Sequence, residues 1–204
     1  MASEVVDGLT LPIRLAGHPA LDFCNTRAGW GEAEPKEYLT SYAHLLLWCR
    51  ESGLLPASAL LRLHASARAD RDAAADIVAS ARALRDATYA VVVGRPGDGD
   101  WYVVARQAEA ARCAARLVPD TGRTSVRTAS WAPSTNRLDA PLLAIATAVG
   151  DYVSAEPYVP VGVCDGQGCG WVFADPHGRR RWCSMALCGN RAKVRRHADR
   201  QRTA

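Results

Sequence analysis

Apolar residues recur at helical spacing through most of the first 160 positions. Tyr38, Leu39, Tyr42, Leu45, Leu46 and Cys49 predict a helix over Pro35 to Gly53, with Gly53 as its stop. Pro56 opens a second helix, carrying Leu60, Leu61 and His64. A long third runs from about Asp72 through Ile77, Ala81, Leu84, Thr88 and Val91 to Gly94, where Gly94-Arg95-Pro96-Gly97-Asp98-Gly99 forms a turn cluster. A fourth starts at Asp100 and passes Val103, Val104, Ala108, Ala111 and Ala115. Val126 to Trp131 is expected to be a short strand and Leu138 to Val153 the last helix of this part. The stripes are core faces. Cys49 and Cys113 fall within helical patterns, where an unpaired cysteine serves as a small buried hydrophobe.

The pattern changes after Glu156-Pro157-Tyr158-Val159-Pro160, a helix-breaking stretch. It divides the chain into a helical domain, 1–157, and a module, 158–204, rich in Gly, Cys, Arg and Trp. Few contacts are expected to cross a boundary of this composition. Charge divides at the same place. Residues 1–160 hold 16 basic against 18 acidic side chains, whereas 161–204 hold nine against three. The excess at one end suits a polyanionic partner.

With 49% apolar and 23% charged residues the 204-residue chain has enough apolar surface for a core, which excludes a wholly disordered chain. The longest apolar run, Leu142 to Val149, is far too short to cross a bilayer. The opening Met-Ala-Ser-Glu-Val-Val-Asp lacks the cationic-then-apolar order of a signal peptide, so a cytoplasmic protein without membrane attachment is expected.

Four of the seven cysteines fall within the basic segment: Cys164-x4-Cys169, thirteen residues, then Cys183-x4-Cys188. Two close pairs on either side of a short excursion are what a tetrahedral zinc ion requires. Gly166, Gly168 and Gly170 let the backbone turn tightly around the first pair. Cys188, at the start of the following helix, would feel that helix's positive end. A segment this polar needs a staple to fold, and one structural zinc with four thiolates supplies it. Four thiolates also close the coordination shell, leaving no position for a catalytic water.

A basic helix follows. Asn190, Val194, His197 and Ala198 share one side, expected to pack on the zinc loops, while Arg191, Lys193, Arg195, Arg196 and Arg200 lie around it. Arg179, Arg180 and Arg181 form a second cluster just before Trp182. Such cations suit a phosphate backbone, with Arg able to read guanine in a major groove; Arg191 and Arg195 are the candidates for base reading. Trp171, Phe173 and Trp182 are taken as the module's small core.

The run Arg-Arg-Trp-Cys-Ser-Met-Ala-Leu-Cys-Gly-Asn-Arg-Ala-Lys-Val-Arg-Arg (180–196) resembles the signature of the CGNR zinc-finger family, and Cys169 to Asp175 is similar to its upstream half. Gly17 to Thr26, Gly-His-Pro-Ala-Leu-Asp-Phe-Cys-Asn-Thr, resembles the opening of the ABATE domain that precedes this finger. The resemblance implies a bacterial stress-linked transcription regulator whose zinc ligands map onto Cys164, Cys169, Cys183 and Cys188.

The fold class expected is mainly α: a helical N-terminal domain followed by a small treble-clef- or knuckle-like zinc module ending in a basic helix. His18, Asp22, Asn25 and Thr26 are candidates for lining a small-molecule pocket in a sensor domain; Asp22 and Asn25 can equally cap helices and tie backbone groups, the commoner use. Paired catalytic carboxylates, a phosphate-binding glycine loop and a nucleophile elbow are lacking, so a non-enzymatic DNA-binding regulator is expected. The alternative is a zinc-stabilised module that meets RNA or an acidic protein without reading DNA sequence.

Overall fold

The computed structural model describes residues 2–119 and 129–202. Strands β1 (Ser3–Val6) and β2 (Leu9–Pro12) form an antiparallel hairpin. Its two-residue turn, Asp7-Gly8, takes the left-handed φ values, 48° and 79°, that such a turn demands. Helix α1 (Pro19–Cys24) begins on Pro19, with His18 Nδ1 accepting from the Ala20 amide at 3.2 Å. Strands β3 (Arg27–Ala28) and β4 (Lys36–Glu37) then pair.

The helix expected from Pro35 starts instead at Tyr42, as α2 (Tyr42–Glu51). Glu37 is held by the Arg85 guanidinium at 2.7 Å and itself accepts from the Leu39 amide, so the preceding segment stays extended. Ser41 then caps α2 through the His44 amide. Helices α3 (Ala57–Ala69), α4 (Arg71–Val92), α5 (Asp100–Ala114) and α6 (Ala140–Val153) lie where the apolar periodicity places them. Asp70 makes the corner between α3 and α4 by accepting from the Ala73 amide. Strands β5 (Arg116–Pro119) and β6 (Ala129–Ala132) pair; residues 126–128 of the expected strand lie outside the described residues. The most apolar helix, α6, packs on α1, α2, α4 and α5. Cys24 and Cys49 are buried, but Cys113 is exposed, on the outer face of α5.

The C-terminal module consists of β7 (Val161–Val163) paired with β8 (Val172–Ala174), a π-helical turn (Met185–Gly189) and α7 (Asn190–Arg202). It does not stand apart. Its buried Trp171, Val172 and Phe173 join one continuous core with the helical unit. Backbone and side-chain hydrogen bonds cross the boundary: Gly29 amide to Cys169 carbonyl, Ala174 amide to Ala16 carbonyl, Trp171 Nε1 to Arg27 carbonyl and Tyr89 hydroxyl to Gly170 carbonyl. The expectation of a sparsely bridged boundary is corrected. Besides its cysteines, the segment buries only Trp171, Val172 and Phe173 among the described large apolar residues, and it completes that core on its neighbour.

Candidate metal centre

Cys164 directly follows β7 and Cys169 precedes β8, so the β7–β8 hairpin brings the first pair together across a tight loop. Cys183 precedes the π-helical turn and Cys188 lies within it. The four side chains are buried, and their sulfur atoms lie within 4.8 Å of one another. Cys169 and Cys183 Sγ are 3.8 Å apart, Cys183 and Cys188 Sγ 3.5 Å. Four thiolates about 2.3 Å from one tetrahedral zinc would stand roughly 3.8 Å apart, so the donor set has the size for that ion. Gly166 is required by space. A Cβ there would sit 2.8 Å from Cys188 Sγ and 3.3 Å from Cys164 Sγ.

Donors from outside the cluster favour negative sulfur at two of the four positions. The Gly166 amide donates to Cys164 Sγ, and Arg191 Nη2 donates to Cys188 Sγ at 3.0 Å. Hydrogen bonds from the Cys169 and Cys183 thiols, helped by backbone donors, pull the Cys164 thiol well below its usual range, and the same bonds raise Cys169 and Cys183. By contrast, burial pushes Cys24 and Cys49 far above theirs, which keeps them as inert packing groups.

Residues 161–201 match the family model for the CGNR zinc finger, and residues 17–156 match the ABATE model, described as "Putative stress-induced transcription regulator". The chain belongs to the ABATE family, with a CGNR zinc finger. The longer match is to a family of regulators, not of enzymes. No curated protein matches the sequence. Among the described residues no helix is long and apolar enough to cross a membrane.

The CGNR finger turns an unexpected side of its last helix inward. The side expected to pack on the zinc loops is open, with Val194 70% exposed. Arg191, Ala192, Arg195 and Arg196 instead border a cleft of about 250 Å3, whose other wall is Asp165, Gly166, Arg181 and Trp182. Helix α7 starts at Asn190, directly after the π-helical turn. The basic residues divide by what holds them. Arg180 lies over the Phe173 ring at 4.1 Å and donates to the Cys183 carbonyl at 2.8 Å, so it braces the finger. Arg181 pairs with Asp165 at 3.2 Å. Arg196 and Arg200 reach back to carbonyls of their own helix, at 3.4 and 3.3 Å. The side chains of Arg179, Lys193 and Arg195 meet no hydrogen-bonding or ionic partner among the described residues.

The four candidate pocket residues are engaged with backbone. Asp22 accepts from the Leu15 and Ala16 amides at 2.8 and 2.9 Å, and burial raises its carboxyl against the pull of those bonds. Thr26 donates to the Phe23 carbonyl, His18 caps α1, and Asn25 bonds the backbone of Val172. Sequence reasoning missed the group beneath them. Arg85 is 1% exposed, paired with Glu37 and Asp86, and Asp86 reaches Arg27 at 3.1 Å. Trp30 stacks on Tyr89 at 3.7 Å between ring centroids. One signal was available: Val78, Ala81, Arg85, Thr88 and Val92 lie at helical spacing, which puts a cation on the buried stripe.

Proposed function

We propose that this protein is a DNA-binding transcription regulator in which one Zn2+ held by Cys164, Cys169, Cys183 and Cys188 fixes the basic helix α7 for contact with duplex DNA, while the helical unit serves as the input domain. Zinc supplies structure here, because four thiolates fill its shell. The observation that carries the reading is the side of the finger built from Arg181, Arg191, Arg195 and Arg196 beside an exposed helix. Cations gathered on one face, with Arg195 there and Lys193 elsewhere on α7 meeting no partner among the described residues, suit a phosphate backbone better than a solvated surface. Arg191 differs from its neighbours. Its guanidinium is committed to Cys188, so it steadies the centre and leaves Arg195 as the stronger candidate for reading a base.

The test is binding of the zinc-loaded protein to its own promoter duplex, to scrambled duplex and to single-stranded RNA over a salt series. Lys193→Ala and Arg200→Ala are expected to weaken all duplexes alike, lowering the log–log salt slope by about 0.9 for each phosphate no longer neutralised. Arg195→Ala should cost about 1–3 kcal/mol at one base position. Wild-type affinity in all of these variants, with zinc retained, would exclude α7 as the DNA surface. Preference for single-stranded RNA would favour an interaction module instead.

A further inference from the structure

A second cleft with an unbalanced charge lies far along the chain from the finger, between α2, α3 and α4. It is an open groove of about 450 Å3, within the range of small-molecule sites. Tyr42, Ala74 and Val78, all buried, form its apolar base, and Ala43, Ala67 and Ala75 its walls. Three guanidinium groups border it: Arg68 in the last turn of α3, Arg71 at the first position of α4, and Arg82 about three turns further on. None of the residues lining it is acidic.

The three cations are not equivalent. Arg82 is spoken for, donating through Nε and Nη2 to the Leu39 carbonyl at 2.9 and 2.6 Å and lying 3.7 Å from Glu37. Arg68 and Arg71 have no hydrogen bond or ion pair among the described residues. Of the two acids that flank Arg71 in the chain, Asp70 is turned to the Ala73 amide as the cap of α4, and Asp72, exposed in the first turn, neither lines the groove nor forms an ion pair with Arg71. An apolar floor under two unpaired guanidiniums complements an anion with an apolar body.

We propose that this groove is the effector site of the helical unit, and that its ligand is a small organic anion. A carboxylate or phosphate monoester head is gripped by Arg68 and Arg71, and an aromatic or branched apolar body lies on Tyr42, Ala74 and Val78. The proposal rests on the helical unit being the input domain. The groove is well placed for that task. Its long wall, α4, carries Arg71 and Val78 at one end and, towards the other, Asp86, which pairs with Arg27, and Tyr89, which donates to the finger's Gly170 carbonyl.

The experiment uses the full zinc-loaded chain, with 2-naphthoate and phenyl phosphate as probes and 2-naphthamide as the neutral control, followed by calorimetry and thermal shift. At least one anion is expected to bind saturably, with the amide at least about tenfold weaker, a difference of about 1.4 kcal/mol. The double variant Arg68→Gln/Arg71→Gln should lose about tenfold or more while keeping the wild-type melting temperature, since both side chains lie at the surface. Ala75→Trp, which fills the groove from an exposed wall position, should abolish binding. No saturable binding of either anion at millimolar concentration overturns the proposal, as does binding unchanged in both variants. Duplex DNA affinity, measured on the same variants without probe, separates the two readings: loss of anion binding with wild-type DNA affinity supports this site, and absent DNA binding alongside normal anion binding overturns only the finger's assignment.

Discussion

Asn25 spends its whole side-chain amide on the backbone of Val172, 147 residues later: Nδ2 donates to the carbonyl and Oδ1 accepts from the amide, each at 2.9 Å. Asn25 is fully buried, just after α1, and Val172 opens β8 between the two cysteine pairs. The side chain thereby acts as an extra strand residue for the finger, and it locks the finger to α1.

Asn25→Ala would strand a buried N–H and a buried C=O at once. Each such group costs about 1–3 kcal/mol, so the variant should lose about 2–5 kcal/mol of stability. Urea unfolding measures this, and a loss below about 1 kcal/mol would mean that water replaces the amide at the joint.

Gly170 is the second lock. Its φ is +65°, and a Cβ there would sit 2.6 Å from the Cβ of Trp30. Gly170→Ala should cost about 1–3 kcal/mol through strained backbone and the displaced Trp30–Tyr89 stack. Tryptophan fluorescence and the melting temperature should change together; a silent spectrum would show that Trp30 does not move.

Cys183→Ser, or a strong chelator, should remove the metal and unfold residues 161–202. Because the finger completes a shared core, the helical unit should soften as well. A 1–155 fragment is expected to melt cooperatively but to be about 2–4 kcal/mol less stable than the full chain, since Val172, Cys169 and Ala174 no longer serve as backbone partners. Hydrogen exchange would locate the change. Protection of α1 unaltered by metal removal would argue against the coupling.

His18 gives the fold a pH dependence. Burial lowers its pKa from 6.5, partly opposed by Asp151, and its Nδ1 is the acceptor that caps α1. With the folded-state pKa below the unfolded one, the unfolded chain binds the proton more readily. The cap's stabilisation, about 0.5–1 kcal/mol, is therefore present above about pH 6.5 and is lost as pH falls towards the folded-state pKa. His18→Asn keeps a cap without the titration, so its melting temperature should change less than that of the wild type between about pH 7.5 and pH 5.

Much of the molecule was legible along the chain. Helices α3 to α6 follow from apolar residues three and four apart, and several of their ends from Pro56, Gly94 and Asp100, because periodicity and capping are interactions within a few residues. The four cysteines and the basic skew were equally visible, since spacing and charge survive without coordinates. The hairpin turn Asp7-Gly8 was also written locally, though it is recognised only once β1 and β2 are seen paired. Tertiary structure alone decided the rest. Glu37 delays α2 because Arg85 reaches it from α4, Val194 faces solvent because the Arg191–Arg195 side of α7 borders the zinc loops instead, and Asn25 ties backbone rather than a ligand because Val172 arrives beside it. In each case the deciding partner or geometry arises only on folding, and a polar side chain takes the role of whichever unpaired group the core places next to it.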